Sequence, residues 1–211
     1  MGAVEQEWLD WPIEADTVGE QHTGGSTMTP KPEILDRRPA ARSRIFRIEA
    51  IDLRFSNGAA RTYERILGGP DSVMVLPLRE DATLLLVREY AAGSDAYELG
   101  FPKGVVEDGE SVIDAANREL REEVGHGARD LRVLHRCSLV PGYIQHATQI
   151  VLARDLYASK AVGDEPEPIE VVPWSLHDID GLLARTDFTE ARGIAALFLL
   201  QRFLAHERGS C

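Results

Sequence analysis

Three carboxylates stand at helical spacing near the middle of the chain. Glu119, Glu122 and Glu123 lie at positions i, i+3 and i+4, so a helix would point all three in the same direction. Like charges on one helix face repel each other, so a surface helix gains nothing from this arrangement. A divalent cation would remove the repulsion, and Mg²⁺ prefers oxygen ligands and is often shared with substrate phosphates. The spacing therefore indicates metal-assisted chemistry on a phosphorylated substrate, with a solvated acidic helix as the alternative.

The residues around this cluster predict a helix with defined ends. Ser111, followed three residues later by Asp114, is a capping pattern, so the helix should begin at Ser111. Gly125 stands where a left-handed C-terminal cap is expected, and Gly104 allows the preceding loop to approach a ligand closely. Arg118 can hold the carboxylates in place. One side of the helix is apolar at helical spacing: Val112, Ala115, Ala116, Leu120 and Val124.

The same stretch resembles the sequence signature of the Nudix family. One position departs from that signature, because His126 stands where an aliphatic residue is usual; we expect it to follow the helix and not to be a ligand. A coincidental match of this length is rare, and this argues against the alternative of a solvated acidic helix. The signature is matched at seven fixed positions and one aliphatic position: Gly104, Glu110, Arg118, Glu119, Leu120, Glu122, Glu123 and Gly125.

The resemblance implies a hydrolase that uses Mg²⁺ or Mn²⁺ to break a phosphoanhydride bond with water. Cations of this kind polarise the phosphoryl oxygen and activate a bound water molecule. The implied metal ligands are Glu119 and Glu123, with Glu122 as a further ligand or a holder of water, and the backbone carbonyl of Lys103 or Gly104.

The catalytic base is less narrowly defined by the resemblance. In ADP-ribose-cleaving members of the family it often comes from a loop between late strands, which corresponds here to residues 163–168. Glu165 and Glu167 are both candidates, and a plain acidic surface loop is the alternative. The resemblance also gives Glu110 a supporting role, beside Arg118.

The resemblance extends over roughly residues 40–205 to family members that cleave ADP-containing nucleotides. Pro141 fits a proline of the ADP-ribose-cleaving type, and Tyr143 fits a tyrosine of the dinucleoside-polyphosphate-cleaving type. Together they imply mixed substrates, namely ADP-ribose, diadenosine triphosphate and NADH, with AMP as a product. Nucleoside triphosphates, NAD-capped RNA, and a catalytically silent ADP-ribose sensor of the same fold stay open as alternatives.

Five residues outside the signature are candidates for binding such a nucleotide. Tyr90 and Phe101 could stack on adenine, because aromatic faces bind planar rings. Arg65 and Arg88 could bind phosphate, and Glu98 could bind a ribose hydroxyl. Each of them also suits a strand whose side-chain tip is exposed.

The predicted fold is α/β, a Nudix-type α/β/α sandwich with a mixed sheet, preceded by an N-terminal β-hairpin extension. Alternating apolar residues on both sides of the Asn57-Gly58 turn predict the hairpin. The apolar run 84–87 indicates a strand covered on both faces. Further strands are predicted at 72–79, 82–90, 130–140, 147–157 and 168–174, and further helices at 175–185 and 189–206.

Composition and charge predict three segments and a cytoplasmic location. An acidic, disordered tail and linker is expected over 1–40, a hairpin over 41–70 and the Nudix domain over 71–207. The net charge of −12 argues against nucleic acid or a membrane surface as partner. The chain also lacks an apolar run of membrane-spanning length and a signal peptide. In similar enzymes the hairpin exchanges between subunits, so the resemblance implies a homodimer.

Overall fold

The computed structural model describes residues 29–163 and 165–209. Its helices are α1 (Val112–Glu119), α2 (Ile179–Leu183) and α3 (Ala191–Gly209), and a π-helical turn, Leu120–Val124, continues α1. None of the helices in these two ranges has the length and apolar character needed to span a bilayer. The strands are β1 (Glu33–Arg42), β2 (Arg47–Arg54), β3 (Ala60–Leu67), β4 (Ser72–Pro77), β5 (Thr83–Ala91), β6 (Ala96–Gly100), β7 (Lys103–Val105), β8 (His126–Ser138), β9 (Ile144–Gln145), β10 (Ala147–Ala158) and β11 (Glu170–Ser175).

The strands form three sheets, of which the central one is mixed. Its order is β7-β4-β10-β8, with β10 parallel to β4 and antiparallel to β8. A second sheet has the order β11-β5-β6, and a bridge between Leu78 and Leu84 connects β4 to β5. The third sheet, β1-β2-β3-β9, contains the N-terminal strands. The predicted mixed sheet is therefore present, and its neighbours in space come from distant parts of the chain.

The central strands are apolar on both faces and separate two hydrophobic cores. Successive side chains of a strand point to opposite faces, so Met74 and Leu76 of β4 enter one core while Val73 and Val75 enter the other. The buried run 84–87 of β5 alternates in the same way, as its sequence predicted.

Helices cover the two faces of these strands. Helix α1 and the π-helical turn place Ala115, Ala116 and Leu120 in the core that contains Val73. Helices α2 and α3 bury Leu182 and Leu197 in the opposite core. The resulting layers are helix, strands and helix, which is the predicted α/β/α arrangement, and the three N-terminal strands precede it in the chain.

One prediction about the N-terminal region is wrong. The composition predicts a linker that includes residues 33–40, but these residues belong to β1. This strand pairs antiparallel with β2, with Glu33 opposite Arg54 at one end and Arg42 opposite Arg47 at the other. All ten residues of β1 are exposed, so the strand has no apolar alternation to reveal it, and pairing with β2 determines its conformation. The extension is thus a three-stranded sheet. The part of the predicted disordered tail that precedes residue 29 lies outside the described residues.

Strand β9 joins the N-terminal sheet to the rest of the molecule. It pairs in parallel with the end of β3, Ile66 with Ile144 and Leu67 with Gln145. Gly68 permits this approach, because a Cβ atom there would lie 1.7 Å from the carbonyl oxygen of Gln145. The adjacent Gly69 has open space on the same criterion.

We expect Gly68→Ala to lower the free energy of unfolding by about 1–3 kcal/mol, because the added methyl group must displace the β9 backbone. Urea denaturation followed by circular dichroism measures the change. Gly69→Ala is the matched control and should leave stability within about 0.5 kcal/mol of the parent. Equal losses in the two variants would show that the β3–β9 contact is not a constraint.

Candidate active site

Local capping positions the helix that carries the carboxylates. The Ser111 hydroxyl accepts a hydrogen bond from the Asp114 N–H at 3.1 Å, and α1 begins at the next residue, Val112. Gly125 has a φ of 76°, the left-handed conformation predicted for it. His126 follows as the first residue of β8. The last turn is π-helical, a rare form that is frequent at functional sites.

Arg118 binds three of the carboxylates with a single guanidinium group. Its Nε and Nη2 donate to the two oxygens of Glu110 at 3.0 and 3.1 Å. Its Nη1 donates to Glu119 Oε1 at 2.7 Å and to Glu122 Oε2 at 3.0 Å, and Nη2 also donates to the Val105 carbonyl. The guanidinium lowers the pKa of Glu110 and is itself held in the charged form. Charge-assisted bonds of this kind fix the rotamers of all four side chains.

Glu123 is buried with one oxygen lacking a partner. Its side chain is 7% exposed, and its Oε1 accepts a hydrogen bond from the Lys103 backbone N–H at 3.3 Å. Among the described residues, its Oε2 is the buried side-chain oxygen that has no hydrogen-bond partner. Burial raises the pKa of Glu123 to about 8, against the opposing charge of Lys103. A carboxyl with this pKa is mostly protonated at neutral pH, and a cation bound beside it would favour the charged form.

Glu119 lies directly against the backbone of β7. A Cβ atom at Gly104 would fall 1.9 Å from Glu119 Oε1, so only glycine allows this contact. Burial raises the pKa of Glu119, the bonds to Arg118 lower it, and the charges of Glu122 and Glu165 raise it further. The β7 backbone and the Glu119 and Glu123 carboxylates are therefore neighbours.

This arrangement fits a divalent cation without forming a finished ligand set. No three His, Cys, Asp or Glu side chains within residues 29–163 and 165–209 are grouped as ligands of one metal ion. Instead, Arg118 donates hydrogen bonds to one oxygen of Glu119 and to one oxygen of Glu122. The partnerless Glu123 Oε2 and the Glu119 carboxylate packed against Gly104 are oxygen groups of the kind that a hard cation prefers.

Both candidate bases lie beside the carboxylate cluster. Glu165 and Glu167 line a cavity of about 430 Å³ together with Glu122 and Glu123. Glu167 Oε1 accepts a hydrogen bond from the Tyr97 hydroxyl at 2.6 Å, and this bond raises the pKa of Tyr97. The two acids thus differ in what they contact, a difference that residue types and spacing do not predict.

Phe101 does not have the position predicted for a stacking residue. It is fully buried and meets Phe188 edge to face at a centroid distance of 6.2 Å. Leu99 is buried in the same core, because alternate residues of this segment point inward. An adenine ring therefore cannot reach Phe101 without opening the core.

The other candidates for substrate binding carry existing partners. Tyr90 is exposed and donates to Asp95 at 2.5 Å. Glu98 accepts from the Thr189 hydroxyl at 2.9 Å. Arg88 donates to Glu170 at 3.0 Å and to Asp187 at 2.5 Å, so a phosphate would have to compete with two carboxylates for it.

Arg65 and Tyr143 lie in a different cavity from the acidic cluster. They line a space of about 390 Å³ at the β3–β9 junction, which also includes Pro141 and Arg136. Arg65 is paired with Glu49 through two hydrogen bonds of 3.0 and 2.8 Å. The structure therefore brings together the carboxylates and the acidic loop, and it separates them from this pair.

Glu89 is a site residue that the sequence analysis missed. It accepts from Lys103 Nζ at 3.3 Å and its charge acts on Glu123. It also lines a cavity of about 330 Å³ with Lys103, Glu98 and Arg192. The available signal was weak, namely a polar Arg-Glu-Tyr end on an otherwise apolar strand.

The fold and the acidic helix define a hydrolase of the Nudix class, and comparison with known proteins agrees. A NUDIX domain model matches residues 69–198, and a model of the NudE-type Nudix hydrolase N-terminal domain matches residues 32–65. The chain belongs to the Nudix family. Nudix hydrolases generally use divalent metal ions.

Particular relatives are similar over most of their length. The chain is 50% identical over 175 residues to the ADP compounds hydrolase NudE of Escherichia coli (strain K12), covering 82% of this chain and 94% of the relative. It is 28% identical over 174 residues to the ADP-ribose pyrophosphatase of Bacillus subtilis (strain 168), covering 79% and 94%. A crystal structure of an ADP compounds hydrolase matches with a TM-score of 0.81 and 48% identity, covering 86% of this chain and 98% of that one.

We expect Asp187→Asn to lower the free energy of unfolding at pH 7 by about 1 kcal/mol. Hydrogen bonds from Arg185 and Arg88 hold the pKa of Asp187 well below its ordinary value of 3.8. The stabilisation is therefore present above about pH 4 and is lost as the pH falls toward the folded-state pKa. Urea denaturation at pH 7 and pH 3 measures both values. Asp108→Asn, at an exposed loop position, is the control; a deficit at pH 3 that is no smaller than the deficit at pH 7 would contradict the prediction.

Proposed function

We propose that the protein hydrolyses the diphosphate bond of ADP-containing nucleotides, namely ADP-ribose, diadenosine triphosphate and NADH, and releases AMP. The observation that carries the proposal is the buried, partnerless Glu123 Oε2 beside Glu119 and the Gly104 backbone. The likeness to an ADP compounds hydrolase and an ADP-ribose pyrophosphatase supports the substrate class. Mg²⁺ or Mn²⁺ is the proposed cofactor, held by Glu119, Glu123 and the Lys103 or Gly104 carbonyl, with Glu122 as a further ligand or a holder of water.

The reaction is the attack of water on one phosphorus atom of the diphosphate. A new P–O bond forms to the water oxygen, a loop carboxylate takes the released proton, and the bridging P–O bond breaks. The products are AMP and ribose 5-phosphate from ADP-ribose, or AMP and ADP from diadenosine triphosphate. When bound, the cation supplies charge neutralisation on the phosphoryl oxygens. Arg118 keeps Glu119 and Glu122 in fixed rotamers throughout, because it bonds to both.

The acids at the site favour an enzyme over a silent ADP-ribose sensor. Glu110, Glu119, Glu122 and Glu123 are all present, and the first three are bonded to one arginine. A protein that only binds its ligand has no need of a buried carboxylate that is costly to ionise. Nucleoside triphosphates and NAD-capped RNA are substrates of the same chemistry, which a substrate panel with AMP, phosphate and pyrophosphate detection separates from ADP-ribose.

We expect Glu123→Gln to lower kcat for ADP-ribose by about three orders of magnitude, because the amide cannot supply a charged ligand oxygen. Chromatography of released AMP measures the rate, and titration calorimetry with Mn²⁺ measures the loss of cation binding. Glu80→Gln, in the exposed β4–β5 turn at the far end of β4, is the matched control. Undiminished turnover in the Glu123 variant would remove this carboxylate from the mechanism.

We also propose a homodimer that forms through the N-terminal sheet. Strand β1 is exposed along its whole length, and the turn after it presents Ile45 and Phe46 at 68% and 52% exposure. Adjacent exposed apolar side chains of this size are typical of an interface. Nucleic acid remains an improbable partner because of the acidic net charge. The cytoplasmic location also stays a prediction from the sequence.

We expect light scattering to give a mass about twice the 23.3 kDa of the chain. Phe46→Asp should convert this species to monomer, because a buried, unpaired carboxylate disfavours association. Val133→Asp, at an exposed apolar position of β8, is the control and should leave the mass unchanged. A monomeric parent protein would contradict the proposal.

A further inference from the structure

Among the described residues, one hydrogen bond joins a side chain of the acidic loop to β6, at the opposite edge of the second sheet from β11. The Tyr97 hydroxyl on β6 donates to Glu167 Oε1 at 2.6 Å. Tyr97 pairs with Tyr90 across the β5–β6 ladder, and the two rings meet edge to face at 5.6 Å. Tyr90 in turn donates to Asp95. The Tyr97 ring, which is half exposed, thus packs against a tyrosine that has a hydrogen bond of its own.

The backbone of the loop is restricted on both sides of Glu167. Pro166 and Pro168 flank the residue and restrict its neighbours, and the chain bends at Pro166 and Glu167. The loop then enters β11, whose first residue Glu170 pairs with Arg88 of β5. The prolines therefore restrict the backbone on both sides of Glu167, whose exposed side chain is bonded to Tyr97.

Glu165 occupies a different place on the same loop. Its carboxylate folds back over Gly163, where a Cβ atom would lie 2.1 Å from Glu165 Oε2. It lines the same cavity as Glu122 and Glu123. Two acids separated by one residue would share a side in a straight strand, and the bend between them sends one to Tyr97 and the other over Gly163.

We infer that Tyr97 is a positioning residue, which anchors the acidic loop through Glu167 so that Glu165 is the carboxylate free to take the proton from water. This inference rests on the proposed hydrolysis and names the base within it. Glu167 is engaged as the acceptor of a hydrogen bond from the Tyr97 phenol, and Glu165 has no such bond among those between described residues. The tyrosine thus acts on the reaction through the loop and not by contact with the substrate.

The first test is a kinetic comparison of three variants with ADP-ribose and Mg²⁺. Glu165→Gln should lower kcat by about 10²–10⁴-fold, the range for loss of a general base. Tyr97→Phe should lower kcat about tenfold with KM within about twofold, since one hydrogen bond to a charged group is lost. Glu167→Gln should lower kcat by less than about threefold, because the amide oxygen can still accept the hydrogen bond from Tyr97. A larger loss in Glu167→Gln than in Glu165→Gln would overturn the assignment.

A double-mutant cycle separates anchoring from a general structural effect. Adding Glu167→Ala to Tyr97→Phe should cost no further activity, because each change breaks the same contact. Tyr157→Phe removes the same hydroxyl from a tyrosine on β10 that packs under Arg129, and it is the matched control. Additive losses in the cycle would contradict the inference.

The second test does not depend on any substrate. Hydrogen–deuterium exchange of peptides covering residues 161–171 should be faster in Tyr97→Phe than in the parent and unchanged in Tyr157→Phe. If the parent releases no AMP from ADP-ribose, the proposed function fails while this measurement still reports on the anchor. If exchange in the loop is the same in the parent and in Tyr97→Phe, the anchoring role is wrong even for an active enzyme.

Discussion

Two buried carboxylates are the constraint on which the rest of the site depends. Glu119 and Glu123 are each less than a tenth exposed, and removing a carboxylate from water costs several kcal/mol. Arg118 offsets that cost at Glu119. One oxygen of Glu123 accepts a hydrogen bond from a backbone N–H, and the other has no hydrogen-bond partner among the described residues. The fold therefore holds negative charge in a dry position where a cation and its phosphate ligand would complete the balance.

The choice of arginine at residue 118 explains how the cluster is held without being neutralised. The guanidinium has five N–H groups in a rigid plane, and they reach three carboxylates and the Val105 carbonyl. A lysine has three donors from one nitrogen and could not span these acceptors. Glu123 lies outside this set of bonds, so it is the acid that stays available to a ligand.

Local and long-range features of the site were predictable to different degrees. The capped helix and the Gly125 turn followed from spacing within fifteen residues or so, because capping and helical periodicity are local properties. Strand β1 and Glu89 were not apparent, since exposed strands and polar strand ends acquire their roles from partners distant in sequence. The prediction that Phe101 stacks on adenine was wrong for the same reason, because the core that buries Phe101 includes Phe188, which is distant in sequence.

Strand β5 shows how one element serves both the core and the site. Its first half is buried on both faces, and its second half is polar. Because successive side chains point to opposite faces, neighbouring polar residues of this half have different partners. Arg88 bonds to Asp187 before α3, whereas Glu89 bonds to Lys103 at the start of β7. Because β11 and β6 flank β5, the acidic loop that precedes β11 arrives beside Tyr97. The order of three strands thus brings a loop about forty to fifty residues distant in sequence to the carboxylate helix.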